Sequence, residues 1–316
     1  MNASAISTAP EAVGRALASH RRDVRGSVFR VLLLGSLLVA IGILVTLMVD
    51  IVARSLPVWG DRGVVDLIST EISADPARAG IWQAFYGSLI LMAFTAAIAF
   101  PLGIGAAIYL EEYARDTRTT RIINANIRNL AGVPSIVYGL LGLAIFVKLL
   151  GGLTGPNVEG RSIISGGLTL GILVLPIVII TTAEALRAVP SSIREGAIGV
   201  GATSWQTIRH HVLPIAAPGI FTGTILSLGR AFGEAAPLLL VGGITTFFST
   251  GDAGFMEVLQ GRFSAMPVLV FSWARLPQAE FKALTAALIV IMLIVLLLIN
   301  ATAIYLRNRF EKGVTS

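Results

Sequence analysis

Apolar residues fall in long uninterrupted runs separated by short charged pieces. Residues 31–49 contain no charge, and comparable stretches cover about 82–110, 129–150, 163–182, 218–243 and 283–306. A run of roughly 20 apolar residues crosses the ~30 Å hydrocarbon core of a bilayer as a helix. Helices are required there because hydrocarbon offers no partner to an unpaired backbone group. No run shows the alternation, about ten residues long, that marks a barrel strand. The pattern predicts an all-α integral membrane protein with six transmembrane helices, the first at about 31–52. Residues 1–30 and 311–316 read as polar tails and 31–310 as one membrane domain without an internal repeat.

Composition agrees with the pattern. The 316 residues are 55% hydrophobic and only 13% charged, about half the charged share of a soluble domain, and the mean hydropathy is +0.82. The net charge of +6 would suggest nucleic acid in a soluble protein. Here the basic residues flank the apolar runs, so they report topology and contact with anionic lipid instead. With the N-terminus inside, the pieces 1–30, 111–128, 183–217 and 307–316 hold fifteen Lys and Arg. The opposite pieces 55–81, 151–162 and 244–280 hold five, which predicts both termini on the cytoplasmic side. Glu111 and Glu112, with Arg115, Arg118 and Arg121, read as a solvated inside loop. The chain has no cysteine, which excludes disulfides and thiolate sites.

Prolines inside the runs (Pro101, Pro134, Pro176, Pro218 and Pro237) fit ordinary membrane-helix composition or kinked helices lining a pathway that opens and closes. Glycine pairs four apart, at Gly167/Gly171, Gly219/Gly223 and Gly229/Gly233, permit close helix contact.

The inside loop from Glu184 to Ile220 is the most informative segment. Ser192 followed by Glu195, and Thr203 followed by Gln206, predict two capping boxes and so two short helices. Gly199 and Gly201 would stop the first helix and Pro214 the second. The elbow is too apolar for a solvated connector, with Ile193, Ala197, Ile198, Val200, Trp205 and Ile208. It requires either a protein partner or the lipid headgroup surface.

At this point a resemblance enters. Glu195-Gly196-Ala197, then Gly201, then Leu213-Pro214 resembles the EAA loop of binding-protein-dependent type I ABC importer permeases. Two positions depart from that pattern: Gly196 replaces its middle Ala, and His211 stands where Ile is expected. The segments Pro101–Tyr113, Ala131–Gly139, Leu175–Thr182 and Gly229–Leu238 resemble the phosphate branch. Met266–Ala274 and Leu306–Arg309 resemble its PstA-type rather than its PstC-type permeases. The resemblance covers about residues 30–310. It implies a six-helix permease bundle in a bacterial inner membrane, whose Glu195–Gly201 segment docks on a separate ATPase. It further implies a second permease of PstC type, two ATPase subunits and an extracytoplasmic phosphate-binding protein as partners. ATP and Mg would be bound by the ATPase, and no cofactor is expected in this chain.

Arg230 and Glu234 are full charges deep within an apolar run. Insertion scales put the cost of one such charge at about 2.5–3.5 kcal/mol unless it is paired or wetted. At i and i+4 they share a helix face, which suits either a mutual ion pair or a substrate contact. A guanidinium fork can hold two phosphate oxygens. The neighbouring carboxylate could accept a hydrogen bond from protonated phosphate, which sulfate cannot offer near neutral pH. Asn129, Ser135, Tyr138, Thr181 and Thr182 read as capping or interhelical hydrogen-bond groups.

The remaining signals are exclusions. No Walker sequence GxxxxGK[ST] occurs, so ATP hydrolysis belongs to another subunit. No run contains the converging acid, base or metal groups of a membrane-embedded enzyme. The expected function is thus a permease subunit for phosphate. A permease for sulfate or molybdate, or a secondary transporter, is the alternative.

Overall fold

The computed structural model describes residues 24–244 and 254–314. Most of the expected tail 1–30, part of the expected outside piece 244–280 and the last two residues lie outside the described residues. The chain divides into a unit comprising residues 1–50 and a larger one comprising 51–316. The described part of the smaller unit, 24–50, is the first part of one helix, α1, whose full extent is Val24–Asp61. Over 26–50 its side chains are mostly apolar and exposed, Leu38 at 69%, whereas Ser55 and Val58 nearer its end are buried. A helix of that kind is stable only against lipid or another protein.

The larger unit is helical, with no strand among the described residues. After α2 (Gly63–Ser69), α3 (Trp82–Ile108) continues into a π turn at Tyr109–Tyr113. α4 (Arg118–Ala131) and α5 (Ser135–Gly142, extended by a π segment at Leu143–Leu149) lead to α6 (Ile163–Arg187). The elbow contributes α7 (Ser191–Gly199) and α8 (Ser204–Thr207), and a π turn at Ile208–Val212 joins α8 to α9 (Leu213–Phe232). Then follow α10 (Ala236–Leu240), α11 (Phe255–Gln260), α12 (Met266–Trp273) and α13 (Ala279–Val314). Among the described residues five stretches are long and apolar enough to cross a membrane, and α4 with α5, bent by 101°, would make a sixth if the pair forms one span.

Three elements differ from expectation. The stretch expected as one helix over 129–150 is broken between Ala131 and Ser135. Pro134, with ψ at 137°, disfavours helix in the residue before it. The Tyr138 hydroxyl donates to the Leu130 carbonyl at 2.8 Å and fastens the joint. Pro214 does not end a helix. The Leu213 N–H bonds back to Ile208 O across the π turn, which places Pro214 in the first turn of α9, where a missing N–H costs little. Finally, part of 244–280 is core rather than an exposed outside piece. Phe263, Ser264, Met266, Val268 and Leu269 are all 1% exposed or less, because this charge-free run folds back against the bundle.

Close helix contacts orient the bundle. Thr95 donates to Gly167 O, and Gly103 abuts Val178, so α3 and α6 run parallel. Gly219 lies against Ala185 and Gly223 against Thr181, so α9 runs antiparallel to α6. Small residues thus serve the close approach their spacing suggested.

Gly87 shows how tightly α12's leading segment sits. A Cβ there would stand 2.2 Å from Ser264 O, while the neighbouring Ser88 hydroxyl accepts from Met266 N–H at 2.8 Å. Gly87→Ala is therefore expected to destabilise by about 1–3 kcal/mol, the usual cost of overpacking. Gly105→Ala, which meets open space, should be neutral or gain up to about 1 kcal/mol from helix propensity. Thermal unfolding in detergent compares the two, and equal midpoints would contradict the close contact.

Candidate functional site: a docking elbow and a charged helix break

The elbow is closed by local bonds. Gly201 has φ at +91°. Its N–H bonds to Ile198 O at 2.9 Å, and Ala202 N–H bonds to Ala197 O at 3.0 Å. This is the Schellman arrangement, with glycine in the left-handed position it requires. Thr203 and Gln206 form the expected reciprocal capping box. Ser192 and Glu195 do not, because Pro190 takes the cap position and α7 already starts at Ser191. Glu195 and Gly196 are instead exposed on the outer side of α7. Ala197 is buried. Leu213 and Pro214 are half-buried where the elbow re-enters the bundle.

The elbow has an apolar underside and an apolar outer surface. Beneath it Leu186, Val189, Val212 and Ala216 form a buried cluster joined by Ile193. On the outside Ile198, Val200 and Trp205 are exposed at 57%, 88% and 53%. Three large apolar side chains on so short a segment mark an interaction surface.

Two ion pairs that the sequence reading left in solvent anchor the elbow. Arg194 forks onto Glu112 at 2.7 and 3.1 Å and also donates to Val189 O and Leu186 O at 2.8 and 2.9 Å. The Glu112 carboxylate lifts Arg194 above its ordinary, already high pKa, so its charge is permanent. Arg187 forks in the same way onto Glu111. The signal available in the sequence was the pair of adjacent acids, but nothing local placed them beside residues about 80 positions away.

Arg230 and Glu234 flank the end of α9, so they do not share one continuous helix. The helix stops at Phe232, and Gly233 N–H turns back to Arg230 O. The charged atoms stand 3.8 Å apart, beyond hydrogen-bond range. Glu234 is 19% exposed and Arg230 52%. Thr222, Leu226 and Arg230 recur every four residues, so they lie along one face of α9. Thr222 and Leu226 line a cavity of about 420 Å³ with Thr181, Glu184 and Arg307. The chemistry at this helix end is a half-exposed guanidinium 3.8 Å from a carboxylate.

Multiple apolar crossings, a structured elbow and a charged break within a span define a multi-pass membrane transport subunit. Comparisons with known proteins narrow the class. Residues 81–315 match the family described as "Binding-protein-dependent transport system inner membrane component". The "Phosphate transport system permease protein PstA 1" of Mycobacterium tuberculosis is 31% identical over 288 residues, 91% of this chain and 90% of that protein. The "Probable ABC transporter permease protein YqgI" of Bacillus subtilis is 38% identical over 179 residues, 57% of this chain and 58% of that protein. Among solved structures, a chain of the bacterial alginate ABC transporter bound to its periplasmic protein superposes with a TM-score of 0.66. It has 15% identity over 90% of this chain and 95% of that one, a likeness of fold. The chain belongs to the binding-protein-dependent inner-membrane transport components, in their PstA-type branch.

Gly201 is where the elbow is most sensitive. Gly201→Ala forces a side chain into the left-handed region at about 1–2 kcal/mol and is expected to loosen the turn. Gly196→Ala meets open space and should hold or tighten α7. Limited trypsin digestion at Arg194 and Arg209 reads both. Faster cleavage is expected only for Gly201→Ala, and equal rates would contradict the assignment.

Proposed function

We propose that this chain is a permease subunit of an ATP-driven inorganic phosphate importer. It would form half of the translocation pathway with a second permease of PstC type. Two ATPase subunits would hydrolyse ATP, and an extracytoplasmic phosphate-binding protein would deliver substrate. The observation that carries this reading is the 31% identity to a phosphate transport permease over nine-tenths of both chains. The distribution of Lys and Arg supports cytoplasmic termini and a cytoplasmic elbow. The exposed Ile198, Val200 and Trp205 support docking of that elbow on the ATPase through Glu195, Gly196 and Gly201, whereas Ala197, also expected at the contact, is buried beneath them.

Arg230 supports the pathway role. A guanidinium half-exposed within a span must meet water or a partner, and this one continues the face that carries Thr222. At 3.8 Å the Arg230 guanidinium is not hydrogen-bonded to Glu234, so an anion could compete for its fork. Glu234 would then accept a hydrogen bond from a protonated phosphate oxygen and disfavour sulfate.

The test is labelled phosphate uptake by cells lacking this chain, with and without it restored, in competition with sulfate and molybdate. Restored uptake that only phosphate competes is expected. Arg230→Ala should cut it about tenfold or more, since a charged hydrogen bond is worth about 1.5–3 kcal/mol, with protein still present in the membrane fraction. Glu234→Gln should narrow the preference for phosphate over sulfate. Competition by sulfate, or normal uptake by Arg230→Ala, would contradict the reading.

A further inference from the structure

The two arginine forks join elements that lie far apart in the sequence. Glu112 belongs to the π turn that ends α3, and Arg194 to the docking helix α7. Arg194 also takes up two carbonyls, of Leu186 and Val189, at the end of α6. One guanidinium therefore meets three elements. Such a pair at an open surface would contribute little. Here the Glu112 side chain is only 8% exposed and that of Arg194 25%, and the fork is bidentate. Arg187 and Glu111 form a parallel, more open strut between α6 and the same π turn.

The helices on either side of this link carry π turns. In that of α3, Ala114 N–H reaches back five residues to Tyr109 O, a rare geometry found frequently at functional sites. A second π turn, Ile208–Val212, lies where the elbow continues into α9. The elbow itself is stiffened by its Schellman closure and capping box. The elbow thus sits between two π turns, joined to one by covalent continuity and to the other by Arg194.

We infer that Glu112 and Arg194 are positioning residues that carry displacement of the elbow into α3, so that ATP hydrolysis on a docked subunit moves both α3 and α9. This inference rests on the importer reading above. Glu112 and Arg194 touch neither substrate nor nucleotide in that reading, and they act through the helices they join.

The experiment uses the complete importer in proteoliposomes and measures radiolabelled inorganic phosphate taken up per ATP hydrolysed. Glu112→Gln and Arg194→Ala are each expected to lower that ratio about fivefold or more, the lower range of coupling factors between linked sites, while hydrolysis continues. Arg194→Lys, which keeps a charge facing Glu112, should restore part of the ratio. A purely structural role would lower uptake and hydrolysis together, so an unchanged ratio would overturn the inference. Glu112→Gln keeps the side-chain shape and carries the test should Arg194→Ala fail to assemble. A wild-type assembly that hydrolyses ATP without moving phosphate would overturn the importer reading, and the link with it.

Discussion

Hydrocarbon does not hydrogen-bond, and the architecture follows from that fact. Every interruption of a spanning helix has to find its bonds inside the protein. The π turns do so by reaching back five residues, as Leu213 does to Ile208 and Leu150 to Ile145. The break after Phe232 does so by turning Gly233 and Glu234 back onto Arg230 and Ala231. The return segment before α12 does so by pairing Met266 with the Ser88 hydroxyl and Phe263 with Ile244. Irregular backbone is thus placed where its groups find partners, and the break after Phe232 also carries the Arg230–Glu234 pair.

The elbow obeys the opposite constraint. It is closed by bonds of its own, at the Gly201 turn and the Thr203–Gln206 box. That leaves Ile198, Val200 and Trp205 free of any internal packing duty and available to a partner. Its attachment to the bundle is polar on one side, through Arg194 and Glu112, and apolar on the other, through Val212 and Ala216. A rigid, doubly attached element with an apolar outer surface is what a subunit driven by another protein's conformational change requires.

The apolar runs made most of the long helices legible in the sequence, but the run 129–150 is only partly helix α5 after the break at Pro134 and the run 218–243 breaks after Phe232. The Thr203–Gln206 box and the Gly201 turn were legible too, since both are closed by residues within five positions of each other. Tertiary consequences were not. Pro214 reads as a stop unless a π turn shifts its register, and no local pattern announces that shift. The burial of Phe263–Leu269 depends on the groove offered by Gly87. Glu111 and Glu112 read as solvated until Arg187 and Arg194 are brought beside them. Arg230 and Glu234 stood out by depth alone, but the helix end between them was hidden by the glycine being read as a packing residue rather than a terminus.

The central claim is that the elbow meets an ATPase rather than the lipid headgroups, and a photo-crosslinking residue in place of Val200, 88% exposed, tests it most directly. Irradiation of membranes from cells expressing the whole importer, followed by mass spectrometry of the adducts, identifies what lies against that position. The account predicts a protein adduct with the ATPase subunit that is lost when that subunit is deleted. Adducts with lipid alone, unchanged by the deletion, would contradict it.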